Sequence, residues 1–158
     1  MKLRRHQLGL TTVEVALIGL LMFTTLFAVI EVGRLVFVYG MLEESTRRGA
    51  RLAAVCTLND PDIARIAVFG TAGGGGGSSI VAGLNTNNIE VQYLNTAGGP
   101  IADPVGNFVN IEFVRVAIIN FEHQFIVPVL NAVFTTPRFE TTLPRESLGV
   151  TRDGLSTC

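Results

Sequence analysis

A single carboxylate, Glu14, stands near the start of a long apolar stretch that follows a short basic leader. The leader contains Lys2, Arg4 and Arg5 within its first nine residues and no acidic residue. Gly9 ends the leader, and Glu14 is the fifth residue after this glycine. An ionised carboxylate inside a membrane is costly unless a cation pairs with it. The spacing therefore predicts that Glu14 has a cationic partner.

The sequence from Leu8 to Glu14 resembles the processing site of type IV prepilins, where a peptidase cuts after the glycine. The resemblance implies cleavage between Gly9 and Leu10. The new amine of Leu10, with a reference pKa of about 7.7–8.0, is cationic near neutral pH and lies one helical turn from Glu14. That amine, from the same chain or a neighbour, supplies the pair, and in pilin-like families this glutamate aligns successive subunits. A carboxylate at the headgroup boundary with no special partner is the alternative.

The apolar stretch predicts a membrane-spanning helix, because sixteen consecutive residues from Val15 to Ile30 are uncharged. Roughly 20 helical residues cross a ~30 Å hydrocarbon core, and we expect the span over residues 10–32. A buried core helix is the alternative. The adjacent basic leader instead favours a single-pass protein of the inner membrane, with a cytoplasmic N-terminus and a periplasmic or extracellular domain. A conventional signal peptide needs small residues after the run, but residues 31–35 read Glu-Val-Gly-Arg-Leu.

No proline occurs before Pro61, so we expect the helix to continue beyond the membrane to about Cys56. One helical face has apolar or small residues at alternating steps of three and four, as in a helix packed on a domain. These residues are Leu35, Val38, Leu42, Ser45, Gly49, Leu52 and Cys56. Residues 43–48 contain two acid-first i,i+4 pairs, Glu43 with Arg47 and Glu44 with Arg48. We interpret them as a solvated face rather than a binding patch.

Three ordered blocks resemble the TadE-like proteins of tight-adherence (Flp-type) pilus systems. They are Val13-Glu14-Val15-Ala16-Leu17, Ile30-Glu31-Val32-Gly33-Arg34 and Arg48-Gly49-Ala50-Arg51, and Thr142-Leu143-Pro144-Arg145-Glu146-Ser147 is also familiar in this group. Val15 replaces the usual aromatic residue, and Gly19 stands where proline is common. The resemblance implies a minor pilin or pseudopilin that is processed by a prepilin peptidase and acts with other pilins and the pilus platform. The motif residues it assigns are Glu31, Gly33, Arg34, Gly49, Ala50 and Arg51.

The remainder of the chain predicts a small α+β domain. Residues 59–62 stop one helix and start another, and residues 63–69 suit a short amphipathic helix. Residues 89–93 and 138–143 alternate as strands do, and residues 108–121 read as a long central strand whose change of phase allows a bulge. Residues 126–134 suit a brief helix. We expect a pilin-like α+β fold, with a long N-terminal helix packed on an antiparallel sheet of three or four strands.

The expected organisation has four parts. These are a basic leader at 1–9, a transmembrane helix at 10–32, its extramembrane continuation at 33–58 and a periplasmic domain at 59–158. Residues 73–79, five glycines and two serines, predict a flexible loop. A phosphate-binding loop needs Lys and then Ser or Thr after its glycines, and Lys2 is the only lysine.

The sequence offers little chemistry for catalysis. Its two histidines, His6 and His123, are far apart, and it has no Gly-x-Ser-x-Gly motif. Twelve basic and thirteen acidic residues give a net charge of −1, which argues against a nucleic-acid groove. We expect a protein that is not an enzyme and uses no cofactor or metal.

Cys56 and Cys158 are the only cysteines, and both fall on the non-cytoplasmic side under this topology. Disulfides persist there, so we expect a bridge that ties down the C-terminal residue. Two free thiols, one of them buried, are the alternative.

Three functions follow from these features. The first is a pseudopilin that supports assembly of an adhesive tight-adherence pilus. The second is a minor pseudopilin of a type II secretion system, and the third is a signal-anchored periplasmic binding module that is never cleaved. The blocks around Gly33 and Gly49 favour the first over the second, and cleavage at Gly9 would exclude the third.

Overall fold

A single long helix, α1, dominates the computed structural model, which describes residues 8–71, 79, 81–126 and 133–158. It runs without a break from Leu8 to Val55. At about 1.5 Å per residue, its 48 residues span roughly 72 Å. The predicted continuous helix is confirmed, and its end lies within one residue of the expected position.

A second helix, α2, occupies Pro61–Phe69 and begins with the predicted capping residues. The side chain of Asp60 accepts a hydrogen bond from the amide of Asp62, and Pro61 lies in the first turn, where its missing N–H costs nothing. Ile63, Ala67 and Val68 are buried, so α2 packs with one apolar face inward.

The strands form one three-stranded sheet and two small hairpins. They are β1 (Ile89–Leu94), β2 (Phe113–Ile118), β3 (Glu122–Gln124), β4 (Val133–Thr135), β5 (Phe139–Pro144), β6 (Val150–Thr151) and β7 (Gly154–Leu155). β2 lies between β1 and β5 and is antiparallel to both. β3 pairs with β4, and β6 pairs with β7. The expected α+β architecture is confirmed.

The expected long strand at 108–121 is wrong in its extent. Residues 108–110 form a single 3-10 turn, and β2 starts only at Phe113. Asn120, with a left-handed φ of 53°, lies between β2 and β3 and breaks the extended backbone. β2 pairs residue for residue with both neighbours, so no bulge is present, because Glu112 precedes the strand.

Two other expectations fall wholly or partly outside the described residues. The glycine-rich loop at 73–79 is described only at Ser79. Of the brief helix expected at 126–134, residues 127–132 are not described, and residues 133–134 belong to strand β4.

The outer half of α1 packs on one face of the three-stranded sheet. Alternate residues of β2, namely Val114, Val116 and Ile118, are buried on this face. Most of the predicted α1 seam is buried as well, with Leu35 and Leu52 half-buried. Polar members of the contact are satisfied, since the hydroxyl of Ser45 donates to the Ala67 carbonyl at 2.8 Å. The predicted amphipathic seam is therefore the helix side of the core.

The solvated face of α1 carries one of the two expected ion pairs. Arg47 pairs with Glu43 on the exposed surface. Arg48 instead donates a long hydrogen bond of 3.5 Å to the carbonyl of Ile66 in α2. Because α2 packs beside Arg48, the helix–helix contact takes this side chain away from Glu44.

At Gly49, strand β2 and helix α2 both lie close to the backbone of α1. A Cβ atom at this position would lie 3.0 Å from Val116 Cγ1 of β2 and 3.2 Å from Ala67 Cβ of α2. The neighbouring Ala50 is fully buried. The short side chains at 49 and 50 therefore let the sheet and α2 sit against the α1 backbone.

Gly49→Leu should destabilise the domain by about 1–3 kcal/mol, because it overpacks this contact. Gly40→Leu is the matched control, since it replaces a glycine of the same helix with nothing within 4 Å of its added Cβ. Thermal unfolding of the full chain in detergent micelles, followed by circular dichroism, compares the two. Equal melting temperatures would show that the close approach at Gly49 does not limit packing.

The C-terminal end of α1 is capped by the segment after β5. The amides of Glu146 and Leu148 both donate to the Ala54 carbonyl, at 3.1 and 3.2 Å, and the amide of Gly149 donates to the Val55 carbonyl. These bonds satisfy carbonyls that a helix end leaves without partners. Gly149 has a φ of +80°, and a Cβ there would lie 2.7 Å from the backbone of Thr57, so only glycine fits.

Candidate functional site

The candidate processing site lies within α1. Gly9 and Leu10 both have helical backbone, and the described part of α1 starts at Leu8.

Glu14 lies on the exposed surface of α1, one turn beyond Leu10. Its neighbours Val13 and Val15 are 56% and 64% exposed. The described domain does not cover this part of the helix, so Glu14 is open to an external partner.

The inner half of α1 presents apolar side chains on all its faces. From Val13 to Val32, thirteen large apolar residues are exposed. Among the described residues this is the one helix long and apolar enough to cross a membrane. It suggests a single-pass membrane anchor near the N-terminus.

Glu31 and Arg34 form a buried ion pair where the apolar run meets the domain. Glu31 is only 5% exposed. Arg34 Nε donates to Glu31 Oε1 at 3.1 Å, and the other end of the guanidinium donates to the carbonyl of Gln124. The amide of Ile126 donates to Glu31 Oε2 at 3.4 Å. The two charges thus neutralise each other and attach α1 to the segment that follows β3.

His123 of strand β3 completes this cluster, and sequence reasoning missed it. Its side chain is 3% exposed, and Nε2 lies 3.6 Å from Glu31 Oε1, which is longer than a hydrogen bond. Its ring meets Phe125 edge-on, with centroids 5.5 Å apart. The only sequence signal was the acid-first spacing of Glu31 and Arg34; nothing local indicated a partner ninety residues away.

The other motif residues have different environments. Gly33 is exposed, with nothing within 4 Å of an added Cβ, and Arg51 is exposed at the far end of α1. Gly49 and Ala50 are core residues. The motif residues therefore do not converge on one pocket. Glu31 and Arg34 lie at the near end of the contact between α1 and the domain, and Gly49 and Ala50 lie within it.

Cys56 and Cys158 form a disulfide in the structure, with Cα atoms 5.4 Å apart. The amide of Cys158 also donates to Asp60 Oδ2 at 2.9 Å. Partial burial raises the pKa of Asp60, but hydrogen bonds from the amides of Asp62 and Cys158 outweigh this and hold its pKa below the ordinary 3.8. Asp60 therefore stabilises the fold at neutral pH, and this contribution is lost as the pH falls below that value.

Within the described ranges, no group of three or more His, Cys, Asp or Glu side chains is arranged to hold a metal ion. Tyr93 is buried, and burial raises its pKa, but its hydroxyl accepts a hydrogen bond from the amide of Asn59 in a structural contact.

Residues 9–51 match the family model of TadE-like proteins. Over these residues, which make up 43 of the 158, the chain is similar to TadE-like proteins. This similarity supports a TadE-like pilus protein. It covers nearly all of α1, including Glu14, Glu31, Arg34 and Gly49, and stops before the sheet. No curated protein and no solved structure matched the chain.

Removing the Arg34 guanidinium should lower the free energy of unfolding, because the carboxylate of Glu31 then lacks its ion pair. Arg34→Ala should therefore destabilise the domain, because it leaves the Glu31 carboxylate without its main partner. Adding Glu31→Gln should recover part of this loss, since a neutral amide is cheaper to bury. Chemical denaturation in micelles measures both effects. The control is Arg47→Ala, which breaks an exposed pair worth only ~0.5 kcal/mol; a loss no larger for Arg34→Ala would contradict the assignment.

The disulfide should be detectable directly in protein from the oxidising side of the membrane. Unreduced mass spectrometry should yield a peptide pair joining Cys56 to Cys158, and two free thiols would refute the bridge. Cys158→Ser should lower stability by up to about 4–5 kcal/mol, since the bridge closes a separation of 102 residues. Reduction should destabilise the native protein and leave this variant unchanged.

Proposed function

We propose that this chain is a non-catalytic component of pilus biogenesis, a TadE-like minor pilin or pseudopilin that supports assembly of an adhesive pilus. The observation that carries the proposal is the TadE-like match over residues 9–51, which coincides with the exposed apolar half of α1 and its continuation into the domain. Membrane lipid can cover this apolar surface, and so can the helices of neighbouring pilin subunits.

Processing by a prepilin peptidase is part of the proposal. Cleavage after Gly9 removes the basic leader of residues 1–9 and leaves α1 attached to the domain. The basic leader before Gly9, the apolar Leu10 after it and the glutamate five residues beyond the glycine support this site.

Glu14 is the residue proposed to direct assembly. Its exposed carboxylate lies four residues from the amine that cleavage creates at Leu10. A charge within the hydrocarbon region is retained when it has a partner. The proposed partner is the Leu10 amine of a neighbouring subunit, and this amine exists only after processing.

The proposed topology is a single pass through the inner membrane over residues 10–32, with a cytoplasmic N-terminus. Residues 33–58 and 59–158 then lie on the periplasmic or extracellular side. The basic leader supports this orientation. The disulfide supports it independently, since such bonds persist outside the cytoplasm.

N-terminal sequencing of the mature protein, co-expressed with its prepilin peptidase, should begin at Leu10. Gly9→Val should block cleavage, because it adds a branched side chain at the scissile bond. The matched control is Gly19→Val, at a glycine of the same helix with open space around its added Cβ, and it should be processed normally. Retention of residues 1–9 in the native chain would refute both pilin functions and favour an uncleaved, signal-anchored module.

Glu14→Ala should separate processing from assembly. We expect normal cleavage but at least a several-fold loss of the protein's incorporation into, or support of, pili, because the inter-subunit ion pair is gone. Sheared-pilus yield measures the loss. Glu43→Ala removes an exposed carboxylate of the same helix outside the proposed span and should leave the yield unchanged. Unchanged yield with Glu14→Ala would remove the assembly role from this residue, while loss of type II secretion instead of pili would move the protein to that system.

A further inference from the structure

Two apolar residues outside α1, Phe125 and Ile126, lie beside the end of its apolar half. They directly follow β3. Ile126 is 71% exposed, and Phe125 is half-buried, with its ring against His123. The sequence from Phe125 to Phe134 contains no charged residue. Single exposed apolar residues are common on protein surfaces. Ile126, however, lies beside one defined point of α1, the end of its apolar half.

Hydrogen bonds fix that position. The amide of Ile126 donates to the Glu31 carboxylate at 3.4 Å, and the carbonyl of Gln124 accepts from the Arg34 guanidinium. Both bonds involve the first polar side chains after the uncharged run. The backbone amide of Ile126 and the backbone carbonyl of Gln124 therefore hold Ile126 beside the end of that run.

The depth follows from helix geometry. Glu31 comes directly after Ile30, the last uncharged residue of the run, so the two differ by about 1.5 Å along the axis. The headgroup region adds roughly 5–7 Å on each side of the hydrocarbon core. Glu31 is the next-to-last residue of the proposed span 10–32, so a residue whose amide contacts Glu31 lies at the edge of the core, next to that layer.

We propose that Phe125 and Ile126 form a second membrane contact, seated at the boundary between headgroups and acyl chains on the side where the domain lies. The proposal rests on the proposed membrane insertion of α1. Glu31 and Arg34, the charged side chains bonded to this segment, neutralise each other, so the contact needs no anionic lipid. The occupant it fits is the apolar surface of the bilayer, not a particular headgroup.

Tryptophan fluorescence tests this directly, because the chain contains no tryptophan. Three single-tryptophan variants of the full chain are reconstituted into phosphatidylcholine vesicles. Ile126→Trp reports on the proposed contact. Ile18→Trp reports on the proposed span, and Val109→Trp, at a 78% exposed apolar residue near the opposite end of β2, is the control.

Lipids brominated near the headgroup end of the acyl chain should quench most of the Ile126→Trp emission, and lipids brominated near the chain terminus should quench it less. Ile18→Trp should show the reverse order, and Val109→Trp should be quenched by neither. Quenching of Ile18→Trp without quenching of Ile126→Trp overturns this inference and leaves the span intact. Absence of quenching at Ile18→Trp overturns the proposed span itself. Phe125→Trp repeats the measurement at the adjacent residue, and concordant results exclude a local effect of one substitution.

Discussion

The apolar surface of the inner half of α1 is the constraint on which the rest of the molecule depends. Thirteen large apolar side chains between Val13 and Val32 are exposed. Leaving each in water costs about 1.5–3 kcal/mol relative to burial, or roughly 20–40 kcal/mol together. Covering this surface with lipid or with other helices removes that cost, and the surface suggests a single-pass membrane anchor.

The two carboxylates that flank the uncharged run, Glu14 and Glu31, have different environments under the same constraint. Glu31 is covered within the chain, because Arg34 and the amide of Ile126 satisfy it and the domain buries it. Glu14 is left on the surface of the helix. A chain that neutralises one carboxylate internally and exposes the other separates two tasks: Glu31 joins the helix to its domain, and Glu14 is available to another molecule.

Local pattern was sufficient to predict α1, α2 and the three strands of the main sheet, but not the hairpins β3–β4 and β6–β7. The seam from Leu35 to Cys56 predicted which face of α1 is buried, because helical periodicity is a property of neighbouring residues. Asp60 and Pro61 predicted the start of α2 for the same reason. The extent of the central strand was not predictable, since it depends on turns at Asn107–Asn110 and at Asn120 whose backbone is set by local hydrogen bonds rather than by hydropathy.

Contacts between distant parts of the chain could not be predicted from the sequence. His123 lies near Glu31 because β2 runs back along α1 towards the apolar half of the helix. Hydrophobic periodicity in the sequence does not indicate this direction. The capping of α1 by residues 146–149 was equally unpredictable, although Arg145-Glu146-Ser147 belongs to a block that resembles TadE-like proteins. Glu146 and Leu148 cap the helix through backbone amides, which every residue has, so their types do not reveal the contact.

These long-range contacts fasten the domain to α1 at both ends of their interface. At the far end, the disulfide and the amides of residues 146–149 hold the last turn of the helix. At the near end, the Glu31–Arg34 pair holds the segment after β3. Between them, Gly49 brings the sheet against the helix backbone.

The helix is continuous from Leu8 to Val55, with no linker between its apolar half and the core. Any tilt of the proposed span is therefore imposed on the domain. Residues proposed to touch the bilayer and a carboxylate proposed to meet a neighbouring subunit are consequently held in one fixed relation.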